Sequence, residues 1–320
     1  MIPTRLMGCA AALVAVIGFA TPAAAVYPEK DINFVIPFSP GGGFDVYVRL
    51  ISQFVEKHLP NKVNVVPKNV PGAGGRKGLN QVYRARPDGY NIVIVNVPGA
   101  MIDPLVGKKV DYDLEKITWI GRLSTDAYLL TVSSKSPIKT FDDFKKFAAS
   151  NPVKFPSTGS GSTAHAMTKV FIGVLGFKGE IIAGYKGTKE MTIGVIRGDT
   201  PAGILPSEST RKFIESGDIR GLLTTEDPSD YANVPSAKSL KLDDLDGLLI
   251  HRLVAAPPKL PTAIAKTLEK AFMDAMADPA LIAAAKKVNR PFSPLNAVQA
   301  AASVKKQLAL YLRFKDELAK

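Results

Sequence analysis

The chain has 320 residues, 46% of them hydrophobic and 22% charged, which describes an ordered globular protein and excludes a disordered one. Its formal net charge is +12. The lysines and arginines are scattered, with no interleaved aromatic residues, so the basic excess does not indicate a nucleic-acid partner. It fits a basic solvated surface or the attraction of small anions.

The first 25 residues have the pattern of a secretory signal peptide. Arg5 is the only charged residue before Glu29, residues 10–20 form an almost unbroken apolar run, and Ala23-Ala24-Ala25 supplies a small-residue cleavage site. We therefore predict export, with cleavage near Ala25. Cleavage there removes Cys9, the only cysteine, so no disulfide or thiol chemistry is expected.

The most informative motif is a glycine loop near the start of the predicted mature chain. Residues 32–38 read as a buried strand, three glycines follow at 41–43, and Val46, Leu50 and Phe54 then recur at helical spacing. A strand, a glycine turn and a helix N-terminus together present unpaired backbone N–H groups and the positive end of a helix dipole. This arrangement predicts an anion site. The alternative is a plain turn in which Asp45 caps the helix.

Strands and helices alternate through most of the chain, which predicts α/β units on a parallel sheet. Residues 249–256 are apolar and read as a return crossing, and the chain then ends in helices. Further strands are predicted at 63–66, 91–95, 119–122, 128–133, 181–185, 202–205 and 219–224, and further helices at 78–84, 141–149, 164–175, 190–197, 262–276, 279–288 and 297–318.

A second loop of glycine and hydroxyl residues, 157–162, also opens a helix. Ligands of open α/β folds bind at the carboxyl ends of strands and against helix N-termini. The two loops are therefore predicted to form opposite walls of one cleft between two α/β lobes.

Five motifs resemble the TctC (Bug) family, the periplasmic solute receptors of tripartite tricarboxylate transporters. They fall in family order and span essentially the whole predicted mature chain. The motifs are Pro37–Gly42 with Asp45 and Arg49, Pro71–Gly75, Pro87–Tyr90, Gly159–Ser162 with His165, and Tyr185-Lys186-Gly187. The role of Pro71–Gly75 stays open between a structural loop and part of the cleft.

The resemblance implies a two-lobed, type II periplasmic-binding-protein (Venus-flytrap) fold of the α/β class. It implies a first lobe of residues 26–127 plus 246–320 and a second lobe of 128–245. In the family, two loops clamp a ligand carboxylate through backbone N–H groups and ordered water. The ligand-binding residues expected here are Phe38, Ser39, Gly42, Gly43, Phe44, Asp45, Thr158, Gly159, Ser160, Gly161, Ser162, His165, Lys186 and Ser207.

Two departures from the family leave the distal end of the pocket open. Phe44 stands where the family has a small hydroxyl residue, so it either contacts an apolar or aromatic part of the ligand or belongs to the lobe core. Pro201 stands where the family has an aspartate. Ser207 or Ser209 is expected to supply the distal polar contacts.

The expected function is capture of a di- or tricarboxylate, with an apolar or aromatic middle, for membrane subunits of a transporter. An exported sensor of a two-component system and an exported hydrolase are the alternatives. Against the hydrolase, the three histidines are widely spaced and no base is evident for Ser160. We expect a monomer without metal, cofactor or nucleic-acid partner.

Overall fold

A computed structural model describes residues 26–320, and the predicted signal peptide lies outside the described residues. Ten strands and eleven α-helices are found in this range. The strands are β1 (Ile32–Ile36), β2 (Val65–Asn69), β3 (Asn91–Val97), β4 (Thr118–Asp126), β5 (Tyr128–Ser133), β6 (Val153–Ser157), β7 (Gly179–Ala183), β8 (Gly203–Pro206), β9 (Ile219–Thr224) and β10 (Ile250–Ala256). The helices are α1 (Gly43–His58), α2 (Arg76–Tyr83), α3 (Gly99–Leu105), α4 (Phe141–Ser150), α5 (Thr163–Leu175), α6 (Thr188–Arg197), α7 (Ser207–Glu215), α8 (Thr262–Ala277), α9 (Pro279–Lys287), α10 (Ala297–Leu312) and α11 (Lys315–Ala319).

The first lobe is built on a five-stranded sheet in the order β2-β1-β3-β10-β4. β1 pairs in parallel with β2 and β3, as the alternating pattern predicts, whereas β10 is antiparallel to both β3 and β4. The prediction of a parallel sheet is therefore wrong for β10. The apolar run at 249–256 correctly indicated a buried strand. The composition of a strand does not determine whether it runs parallel or antiparallel to its neighbours.

The second lobe contains an antiparallel sheet in the order β8-β5-β9 and a parallel pair, β6 and β7. The prediction of a parallel sheet is therefore also wrong for β5, β8 and β9. Only Ala127 separates β4 in the first lobe from β5 in the second, and the chain returns between β9 and β10. The α/β class and the two-lobed architecture are thus as predicted, and the two chain crossings lie close together at the sheet ends.

The predicted helix at 297–318 is wrong in one respect, because it is interrupted between α10 and α11. Phe314 turns into the core at the break and is only 4% exposed. The break lets α11 pack on α5 of the second lobe, where the Lys169 ammonium donates to the Leu318 carbonyl at 2.7 Å. Gly173 permits this approach, since a Cβ there would lie 2.2 Å from Glu317 Cγ.

Within residues 26–320, none of the helices has the length and apolar composition needed to cross a membrane. The same residues contain no group of three or more histidine, cysteine, aspartate or glutamate side chains arranged to hold a metal ion.

Candidate ligand-binding cleft

The first glycine loop connects β1 to α1, and Asp45 holds its shape. The buried Asp45 carboxylate accepts hydrogen bonds from the Gly41 N–H, Arg49 Nε and Asn69 Nδ2, each at 2.9 Å. Burial alone would raise the pKa of Asp45, but these donors outweigh burial and hold that pKa below its ordinary value. The side chain is therefore occupied in shaping the loop, while Gly42 caps α1 without any side-chain hydrogen bond.

The second glycine loop connects β6 to α5 through a hydroxyl network of its own. Ser157 Oγ accepts from the Gly159 N–H at 3.0 Å, and Ser162 Oγ donates to the Gly159 carbonyl at 2.8 Å. Ser162 also caps α5 by accepting from the His165 N–H. Gly159 has φ +123°, a conformation that favours glycine.

Three helix N-termini converge on a small cavity between these loops. Gly43 and Phe44 begin α1, Thr163 and Ala164 begin α5, and Thr188 begins α6. The first N–H groups of a helix have no acceptor within the helix, and the dipole there favours an anion. The complete lining is Phe38, Gly42, Gly43, Phe44, Thr158, Ser162, Thr163, Ala164, Thr188, Met191 and Pro206, so lysine and arginine are absent from this wall.

The cavity encloses about 20 Å³, which is room for roughly one water molecule. A dicarboxylate therefore enters only if the lobes separate or the Phe44 and Met191 side chains move. The Thr158 hydroxyl is buried in this wall and has no hydrogen-bond partner among the described residues. It is free to donate to a ligand oxygen.

Contacts between the lobes keep the two loops together. The Ser39 N–H donates to the Lys186 carbonyl at 3.2 Å, and the Gly74 N–H donates to the Thr158 carbonyl at 3.1 Å. Asn96 Nδ2 donates to the Gly161 carbonyl at 3.0 Å. The loop Pro71–Gly75, whose role the sequence left open, therefore lies against the second glycine loop. A Cβ on Gly74 would come within 2.6 Å of the Ser162 nitrogen, so only glycine fits here.

Phe44 has both roles predicted as alternatives: it belongs to the lobe core and it faces the ligand cavity. Its ring lines the cavity and packs on Phe38 with 4.9 Å between ring centroids. The guanidinium carbon of Arg252 lies 5.4 Å from the centroid of the same ring. Phe44 is thus part of the lobe core and part of the cavity wall.

The structure brings six of the predicted site residues to the cavity: Phe38, Gly42, Gly43, Phe44, Thr158 and Ser162. Five others make hydrogen bonds that shape or join the loops: Ser39, Asp45, Gly159, Gly161 and Lys186. Lys186 makes its hydrogen bonds through its backbone. Three residues point elsewhere. Ser160 Oγ donates to Asp103 at 3.3 Å, His165 Nδ1 lies 3.4 Å from Ser157 Oγ, and Ser207 Oγ lies 2.8 Å from the Tyr231 hydroxyl.

Sequence reasoning missed the contribution of α6 and of the first turn of α5. Thr163, Ala164, Thr188, Met191 and Pro206 all line the cavity. The sequence signal for α6 was Tyr185-Lys186-Gly187. A glycine directly before a helix leaves the first N–H groups without a side-chain cap, and these groups can then bind a ligand.

A buried charge cluster lies behind the cavity, next to the chain crossings. The Arg252 guanidinium is completely buried and donates to Asp126 Oδ2 at 2.7 Å and to Ser124 Oγ at 3.1 Å. Glu208 of α7 reaches within 3.4 Å of Arg252 Nη1. Its own N–H donates to Asp126 Oδ1 at 3.0 Å, so the α7 N-terminus is already occupied by a carboxylate.

Comparison with known proteins agrees with this fold. The chain is 27% identical over 247 residues to Protein BugT of Bordetella pertussis, covering 74% of each chain. Its fold matches the periplasmic binding protein BugD with a TM-score of 0.83 and 23% identity, over 91% of this chain and 98% of BugD. An R. palustris protein solved with adipate matches with a TM-score of 0.80 and 21% identity, over 91% and 98% of the two chains.

Residues 48–309 match the family described as "Tripartite tricarboxylate transporter family receptor". The match runs from within α1 to within α10 and therefore includes both lobes and the second glycine loop, whereas the first glycine loop precedes it. The chain belongs to the TctC family of tripartite tricarboxylate transporter receptors.

Proposed function

We propose that this protein is a periplasmic solute receptor that captures an organic carboxylate in the cleft and delivers it to the membrane subunits of its transporter. The observation that carries the proposal is the convergence of the α1, α5 and α6 N-termini on one cavity. A carboxylate there accepts several backbone N–H bonds at once. Charge-assisted hydrogen bonds of this kind are stronger than neutral ones.

The proposed ligand carries a carboxylate at one end and an apolar middle. Phe38, Phe44, Met191 and Pro206 supply most of the apolar surface around the cavity. Adipate, found in one structure of the same fold, has this character. A second carboxylate on the ligand fits the family, and Ser209 supplies a buried hydroxyl close to Gly43 that has no hydrogen-bond partner in the described part of the chain.

Ligand capture is proposed to work by hinge closure between a first lobe of residues 26–127 plus 246–320 and a second lobe of residues 128–245. With this division the chain passes between the lobes twice, at Ala127 and before β10. Closure excludes water and strengthens each hydrogen bond to the anion.

Binding without turnover is proposed over hydrolysis. A serine nucleophile needs a base within hydrogen-bond reach. Ser160 Oγ instead contacts the Asp103 carboxylate, which is paired with Arg76, while His165 Nδ1 faces Ser157. Secretion through the signal peptide at residues 1–25 and a monomeric state complete the proposal. A receptor that reports to a sensor kinase would use the same site.

The experiment is a thermal-shift screen of mono-, di-, tri- and aromatic carboxylates, followed by calorimetry with the strongest hit. A ligand that binds only the folded state raises the melting temperature. The decisive variant is Thr188→Pro, which removes one N–H at the first position of α6. Proline is tolerated at this position of a helix.

Thr188→Pro is expected to weaken binding about tenfold or more, because one charge-assisted hydrogen bond is lost. Thr188→Ala keeps the N–H and controls for the side chain, and Thr262→Pro, at the start of the distant α8, controls for proline itself. Equal affinity in Thr188→Pro and Thr188→Ala would contradict backbone recognition. Stabilisation by sugars or cations alone would overturn the carboxylate assignment.

A further inference from the structure

A second recess borders the second glycine loop and shares no lining residue with the ligand cavity. It encloses about 660 Å³, which is within the usual range for a small-molecule site. Three separate parts of the chain form it. Lys108 follows α3 of the first lobe, Ser160, His165 and Lys169 belong to the loop and α5 of the second lobe, and Glu317 and Lys320 belong to the C-terminal segment.

The recess carries an excess of positive charge. Lys108, Lys169 and Lys320 line it together with one carboxylate, that of Glu317. In residues 26–320 the lysines that form ion pairs are others: Lys116, Lys145, Lys154, Lys238 and Lys270. The nearby Asp103 carboxylate is already engaged by Arg76 and Ser160.

Two titrating groups respond to this positive field. Burial and then the charge of Lys169 lower the pKa of His165 to about 4, the Asp103 carboxylate opposes them, and Lys108 adds a smaller lowering effect. Burial and the charge of Lys108 also lower the pKa of Lys169. At neutral pH His165 is therefore a neutral imidazole, able to donate one N–H, in a recess with more lysine than carboxylate side chains.

We propose that this recess binds a small dianionic oxyanion of the sulfate or phosphate type. Such an anion offers several acceptor oxygens, and the recess offers lysine ammonium groups from three segments of the chain, with the Ser160 hydroxyl at its edge. A bound dianion offsets the lysine–lysine repulsion that Glu317 and Asp103 compensate only in part. This site is separate from the carboxylate cavity and does not depend on the function proposed above.

Occupation of the recess stabilises the contact between α5 and α11. The Lys169 ammonium already holds the Leu318 carbonyl, and Gly173 allows the Glu317 side chain to lie against α5. An anion between Lys108, Lys169 and Lys320 ties the C-terminal segment and the α3 side of the first lobe to the second lobe. The recess thus becomes a regulatory anion site for the closed arrangement.

The test is calorimetric titration of the protein with sodium sulfate and with sodium phosphate at constant ionic strength, maintained with sodium chloride. We expect saturable binding of one dianion with a Kd in the millimolar range or tighter. Lys108→Gln removes an ammonium group that makes no hydrogen bond or ion pair within residues 26–320, and it is expected to weaken binding about tenfold. Lys287→Gln, an exposed lysine on α9, is the control of equal net charge.

Lys169→Gln is a second variant, read together with its circular dichroism spectrum because Lys169 also bonds the chain terminus. A signal that rises linearly with sulfate and phosphate, without saturation, would overturn the site. Equal dianion affinity in Lys108→Gln and Lys287→Gln would also overturn it. Displacement of sulfate by the carboxylate ligand would mean a single shared site and contradict the separate recess.

Discussion

The Tyr47 hydroxyl lies 3.0 Å from the Glu208 carboxyl, which joins α1 of the first lobe to α7 of the second. The same hydroxyl lies 2.7 Å from the Pro291 carbonyl, which can only accept. A phenol has one hydrogen. When Tyr47 donates this hydrogen to the Pro291 carbonyl, the hydrogen bond between Tyr47 and Glu208 needs a proton from Glu208. Glu208 is then a neutral carboxylic acid.

The first prediction concerns the pH dependence of stability. Burial, with the nearby Asp126 charge, raises the pKa of Glu208 to about 8, against the opposing charges of Arg252 and Arg290. The folded protein therefore holds a proton between pH 4.5 and 8 that the unfolded chain has lost. This contribution to stability is complete below pH 4.5 and is lost as the pH rises through about 8, by at most about 1.4 kcal/mol per pH unit.

The measurement is urea unfolding between pH 5 and 9. Glu208→Gln imitates the neutral side chain, so this variant is expected to lose the decline seen in the parent protein. Glu215→Gln, an exposed position on the same helix, should keep the decline. Identical pH profiles for Glu208→Gln and the parent protein would rule out a protonated Glu208.

The second prediction concerns the shape of the first loop. Asp45→Asn is expected to lower the unfolding free energy by about 2 kcal/mol at pH 7, since hydrogen bonds to an ionised acceptor are lost. The pKa of Asp45 is lowered in the folded protein. Its contribution is therefore present above about pH 3.8 and fades as the pH falls through the folded pKa, so the gap between variant and parent should narrow in acid.

Denaturant unfolding at pH 7 and pH 3 measures both values. Asp243→Asn, which changes an exposed carboxylate, provides the control. A gap of the same size at both pH values would show that the aspartate charge is not what holds the loop.

The third prediction concerns closure of the lobes. A Cβ on Gly99 would lie 2.6 Å from both the Gly161 carbonyl oxygen and the Thr163 nitrogen across the cleft. Gly99→Ala therefore penalises the closed arrangement by about 1–3 kcal/mol, and ligand affinity should fall about tenfold or more. Small-angle scattering should show weaker compaction on addition of ligand.

Gly187→Ala is the matched control for this experiment. Gly187 has extended backbone, with φ 177°, and a Cβ there would meet its nearest neighbour at 3.9 Å. Full ligand-induced compaction of Gly99→Ala would mean that the lobes do not close along this contact.

The fourth prediction concerns ligand choice. Phe44→Ser exchanges an apolar wall for a hydroxyl, so affinity for a long aliphatic dicarboxylate such as adipate should fall about ten- to thirtyfold, equivalent to about 1–2 kcal/mol. Affinity for malate, which is short and hydroxylated, should fall less. Calorimetry with both acids gives the ratio of the adipate and malate affinities. The same ratio in Phe44→Ser and the parent protein would contradict a ligand with an apolar middle but not the carboxylate site.

The sequence predicted the parts of the cleft that depend on local chemistry. The strand, glycine turn and helix around 32–54 and the loop at 157–162 are formed by neighbouring residues, so their patterns are visible in a single sequence. The unpaired N–H groups follow directly from those elements. The rule that ligands of α/β folds bind at the carboxyl ends of strands then predicted both loops in one cleft, and the family resemblance agreed with it.

The contacts that join distant segments could not be predicted in this way. Asn96 and Gly161 are 65 residues apart, and no local pattern pairs them. Arg252 lies in a segment interpreted as an apolar strand, and nothing in the local sequence identifies Asp126 or Glu208 as its partners. The α7 helix was missed because its nine residues are too few for a clear helical period.

The position of β10 has a consequence for how the protein acquires its structure. β3 and β4 are neighbours only through β10, which enters between them as residues 250–256. Before that segment is available, both strands present open edges, and the first sheet is incomplete. Long-range strand pairing of this kind slows folding and exposes edges that can aggregate. During synthesis, the first lobe therefore receives its central strand β10 only after the whole second lobe has been synthesised.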